Sequence, residues 1–81
     1  MEIKVNQNVA RTRKAQVLAE IIASAKDAAE RGVDNFIYQF KVDERNSFLR
    51  HITIDVKEAT DGHVKCMHRG DHGSWVKFVI V

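Results

Sequence analysis

Apolar residues in this chain alternate at first, then take a helical period, then alternate again. Met1, Ile3 and Val5 alternate with polar neighbours, which predicts a short strand over Met1 to Val5. Asn6-Gln7-Asn8 interrupts it, and either asparagine suits a helix N-cap. From Val9 to Arg31 the spacing is helical. Val17, Leu18, Ile21, Ile22, Ala25, Ala28 and Ala29 form one stripe, while Lys14, Glu20, Ser24, Asp27 and Arg31 fall elsewhere. The alanines narrow the stripe and let its C-terminal end lie close on a sheet. Gly32 stands where a left-handed stop residue belongs, and Val33 supplies the apolar contact of a Schellman stop.

Beyond Gly32 the period is two. Phe36, Tyr38, Phe40 and Val42 share one face of a strand, and Asp43 to Ser47 reads as a polar turn. Phe48 to Lys57 alternates with Ile52, Ile54 and Val56 inward, and Glu58 to Gly62 is the next turn, its Asp61-Gly62 pair suited to positive φ. His63 to Arg69 makes a further strand with Val64, Cys66 and His68 inward. After the turn Gly70 to Gly73, the last strand runs from Ser74 to Val81 with Val76, Phe78 and Ile80 inward. Leu18, Ile21, Ile22 and Tyr38 join these inward residues in the expected core. The expectation is a single α+β domain over residues 1–81. One long helix lies across a four- to five-stranded antiparallel meander, in the order β-α-β-β-β-β.

That order and length resemble the cystatin-like topology, a long helix gripped by a curved antiparallel sheet. The resemblance stops at topology. Cystatins carry a Gln-x-Val-x-Gly turn between their second and third strands, where this chain reads Gln39-Phe40-Lys41-Val42-Asp43. It implies no protease-inhibitor residues here.

Composition narrows the function classes. The 81 residues are 44% hydrophobic and 30% charged, which suits a compact globule with one core. One cysteine, Cys66, excludes an internal disulfide framework. No apolar run approaches ~18 residues and no secretory leader is visible, so the expected address is cytoplasmic, with no membrane contact. His63, Cys66, His68 and His72 fall close together with Asp71, a donor set soft enough for zinc. Strand alternation separates them, leaving only His68, Asp71 and His72 able to converge, and no metal or other cofactor is expected. There is no Gly-rich phosphate loop, no carboxylate pair in a plausible cleft, and no activated thiol, so the chain does not read as an enzyme.

Function is therefore expected on the outward face of the sheet. Pairing the strands through their turns places Ile37, Gln39, Lys41, Leu49, His51, Thr53, Asp55, Lys57, His63, Lys65, Met67, Arg69, Trp75, Lys77 and Val79 there. Trp75, Met67, Leu49 and Ile37 suit apolar anchors, with Arg69, Lys65 and Lys77 as a basic rim. This predicts a small non-catalytic module that occupies an acidic protein partner, in the manner of inhibitors and adaptors, including those of viruses and mobile elements. The alternative is nucleic-acid binding, with Lys65, Arg69 and Lys77 joined by Arg11, Arg13 and Lys14 at the start of the helix. On this parity Trp75 is the sole outward aromatic, which weakens the alternative. Trp75 to Val81 also reads as an open edge strand that carries one charge and no proline. A partner or a second copy adding a strand there is the expected mode of association.

Overall fold

The structure is a computed structural model, described over residues 6–41, 51–70 and 74–81. It contains α1 (Gln7–Glu30), β1 (Asn35–Gln39), α2 (Ile52–Ala59), β2 (Val64–Arg69) and β3 (Trp75–Ile80). The expected strand Met1 to Val5, the turn Asp43 to Ser47 and the residue Leu49 lie outside the described residues.

Helix α1 starts and stops as its sequence dictates. The Asn6 carboxamide oxygen accepts from the backbone N–H groups of Asn8 (3.1 Å) and Val9 (3.2 Å), satisfying two of the donors that a helix start leaves open. At the other end Gly32 takes φ +75°; its N–H donates to the Ala29 carbonyl and that of Val33 to the Ala28 carbonyl. Those two bonds are a Schellman stop. Val17, Ile21, Ala25 and Ala28 are the buried stripe, while Val9 is 60% exposed, so the buried apolar stripe of α1 begins at Val17, nearly three turns into the helix.

The first correction is at residues 52–59, where the expected strand is a helix. Ile52, Thr53 and Val56 are buried and Ile54 is 52% exposed, the pattern of a 3.6-residue period. Ile-Thr-Ile-Asp-Val satisfies both periods at Ile52 and Val56, and its β-branched residues bias a sequence reading to strand. Tertiary packing against α1 and β2 overrides that bias. Both ends of α2 agree with the helix: Asp55 in its first turn and Lys57 in its last complement the helix dipole. Asp61 takes φ +53° and Gly62 φ +80°. Their N–H groups donate to the carbonyls of Glu58 and Lys57, so the Asp-Gly pair ends a helix instead of turning a hairpin. The Thr60 hydroxyl then donates to the Val56 carbonyl (2.7 Å) and accepts from the Val64 N–H (3.1 Å), tying α2 to β2.

The second correction follows from the first. The sheet is antiparallel with the order β1-β3-β2, so the described strands do not form a meander. A helix between β1 and β2 acts as a crossover, leaving those strands parallel to one another and one position apart. The β2–β3 hairpin folds the last strand into the gap. Trp75 to Ile80, expected as an open edge, is thus the central strand, paired along both sides. Strand addition to β3, and a homodimer formed that way, have no free edge to use. The cystatin-like expectation needed a run of consecutive strands that α2 interrupts.

Both helices contribute to one core. Val17, Ile21 and Ala25 of α1 meet Ile52 and Val56 of α2 over Val64, Val76, Phe78 and the buried Phe40. Phe36 and Phe78 stack across β1 and β3 with ring centroids 5.3 Å apart, and Tyr38 and Phe40 meet edge to face at 5.2 Å. The Tyr38 hydroxyl donates to Glu20 of α1 at 2.6 Å. Lys14 and Asp55 join the two helices through an ion pair of 2.7 Å, which partners the solvent-shielded Asp55 Oδ2. Of the expected core, Ile54 is out on the surface of α2, and Cys66 is exposed on β2, which no described strand pairs on its outer side.

Candidate functional site: the sheet face opposite the helices

Because α1 and α2 share one face of the sheet, no described element lies over the other. Register assigns its residues. Asn35, Val79 and Lys65 stand in one row across the three strands. Ile37, Lys77 and His68 make the next, and Gln39 and Trp75 the last. Ile37 and Met67 are each 61% exposed, and Lys65 and His68 are exposed beside them.

An irregularity in β2 decides which side chains reach this face. Cys66 pairs with Phe78 and His68 with Lys77, so Met67 is an extra residue opposite a single partner. Such a bulge shifts the alternation of everything after it by one. Two expected positions therefore exchange. His68, expected inward, comes out to the open face, with its ring 5.5 Å from that of Trp75 at 51°. Arg69, expected outward, turns under the sheet beside Val76, and its Nη2 donates to the Thr53 hydroxyl of α2 at 2.9 Å.

The open face thus has a tilted pair of rings flanked by two lysines. None of the described residues placed on it is an acid. Met67, the extra residue of the bulge, is exposed, and Trp75, Lys65 and Lys77 are where the sequence put them. Arg69 is not. His51, Thr53, Asp55 and Lys57, expected on the same face, belong to the α2 segment in the helix layer. Arg11, Arg13 and Lys14 are on α1, also in that layer, with Lys14 engaged by Asp55. The basic residues therefore form two separate groups. The sequence contained no signal for the bulge, and without it the pairing of His68 with Trp75 was invisible.

Among the described residues no group of three His, Cys, Asp or Glu side chains gathers as metal ligands, and Asp71 and His72 lie outside them. The His63 Nδ1 sits 2.9 Å from the Val81 carbonyl oxygen. No described helix is long and apolar enough to cross a membrane. Comparison with protein-family models, with curated proteins and with solved structures found no match to this chain.

Proposed function

We propose that this chain is a non-catalytic binder of single-stranded nucleic acid, and that the sheet face opposite the helices is its binding surface. The observation that carries this is the bulge in β2, which sets His68 against Trp75, with Lys77 in the same row as His68 and Lys65 in the next. Unpaired bases stack on aromatic rings for about 1–3 kcal/mol each, whatever their sequence, and lysines follow the phosphates. A duplex keeps its bases stacked on one another and offers an exposed ring little to hold, so the single strand is the expected ligand.

The earlier expectation of an acidic protein partner relied on Arg69 and on an open C-terminal edge. The Arg69 guanidinium is instead bonded to Thr53 of α2, and β3 is central. Ile37 and Met67 remain as apolar anchors on the same face and keep a protein partner as the second reading.

The test is fluorescence anisotropy with a labelled oligonucleotide as single-stranded RNA, single-stranded DNA and duplex, over a salt series. Binding of the single strands, lost in Trp75→Ala and weakened in Lys77→Ala, is expected. If Lys65 and Lys77 each neutralise one phosphate, the log–log salt slope is about −1.4. Absence of binding at low salt, or a Trp75→Ala variant that binds as wild type does, would overturn the proposal in favour of a protein partner.

A further inference from the structure

Three described glycines differ in what they need. Gly32 and Gly62 have positive φ and open space around them, so backbone conformation explains both. Gly70 has no such φ. A Cβ built there would fall against Nε1, Cε2 and Cδ1 of the Trp75 indole, inside its van der Waals envelope. The Gly70 N–H also donates to the Trp75 carbonyl at 2.8 Å, holding the two residues opposite one another at the end of the β2–β3 ladder. The indole therefore rests on the backbone of Gly70, with the His68 ring on another side.

We infer that Gly70 is a positioning residue for the base-stacking platform: it seats the Trp75 indole on the open face through the absence of a side chain. This rests on the function proposed above. Any Cβ at position 70 lifts the ring from its seat, away from the place where it meets a stacked base. The backbone of residue 70 accepts an alanine without strain, so Gly70→Ala isolates the steric term.

Trp75 is the single tryptophan of the chain, so intrinsic fluorescence reports on this ring alone. The experiment compares wild type, Gly70→Ala, Trp75→Ala and the double variant. In Gly70→Ala the emission maximum should move to the red, acrylamide quenching should rise, and affinity for single-stranded oligonucleotide should fall about tenfold, in line with the loss of one stacked base. All three contact atoms belong to the indole, which alanine lacks, so alanine at position 70 should be tolerated in the Trp75→Ala background. The thermal midpoints of the four proteins measure that coupling, and if Gly70→Ala unfolds in the tryptophan background, a cooperative melt regained in the double variant reports it.

An emission spectrum and quenching unchanged in Gly70→Ala, or the same loss of midpoint in both backgrounds, would overturn the seat. A shifted spectrum with unchanged oligonucleotide affinity would overturn its role in binding. Wild type that binds no oligonucleotide while Gly70→Ala still shifts the emission would sink the proposed function and leave the seat standing.

Discussion

Arg69 and Lys77 belong to the same ladder but face opposite sides of the sheet, and their alanine variants should separate stability from binding. The Arg69 guanidinium donates to a buried threonine hydroxyl across the sheet-to-α2 contact. Removing it costs a charge-assisted hydrogen bond, about 1–3 kcal/mol where the acceptor is buried. Arg69→Ala should therefore lower the thermal midpoint and leave affinity for single-stranded oligonucleotide nearly unchanged. Lys77→Ala should do the reverse. If Arg69→Ala weakened binding as strongly as Lys77→Ala at full stability, the register beyond the bulge would be wrong. This exchange of roles was illegible in the sequence, since Met67-His68-Arg69 alternates equally well with or without one extra residue.

At the scale of elements, the segment 52–59 offers the sharpest contrast. As a strand it would bury Ile52, Ile54 and Val56 together; as α2 it buries the first and last and exposes the middle one. Ile52→Ala should destabilise by about 2–5 kcal/mol, through lost burial and a residual cavity. Ile54→Ala should change stability by no more than about 0.5 kcal/mol, as a surface substitution. Urea titration of the two variants decides between the elements, and equal losses would restore the strand. Phe40→Ala, by contrast, should cost about 3–5 kcal/mol, because Phe40 is buried under either reading. Helix α1 was legible throughout, because its period, its Asn6 cap and its Gly32 stop all point to one conformation.

For the whole molecule, the position of β3 governs what its substitution does. An edge strand tolerates proline on its free side, whereas a central strand loses a ladder bond from the sheet. Val79 pairs with Asn35 on one side and Lys65 on the other. Val79→Pro should therefore unfold the domain, with loss of the cooperative transition followed by circular dichroism. A folded Val79→Pro variant whose only change is a smaller mass in sedimentation would return β3 to an edge. The net charge of +2 is too small to draw nucleic acid by long-range attraction alone. Binding depends on where the lysines stand, so moving Lys77 from the open face to the helix layer should weaken binding as much as Lys77→Ala does, at constant net charge.

Local signals were enough to determine α1, its cap and stop, the strand character of 35–39, 64–69 and 75–80, and most of the core. In each of these a residue and its near neighbours carry the preference, as when Gly32 accepts a left-handed φ or Phe36 and Tyr38 alternate toward one side. Tertiary structure alone decided three things. Packing against α1 and β2 chose helix for a segment compatible with two periods. That helix set β1 and β2 parallel, which placed β3 between them. A one-residue bulge opposite Lys77 then sent His68 out and Arg69 in. Each choice turns on partners distant in sequence, and strand parity changes sign with a single inserted residue, so the composition of the open face could only be read after the chain had folded.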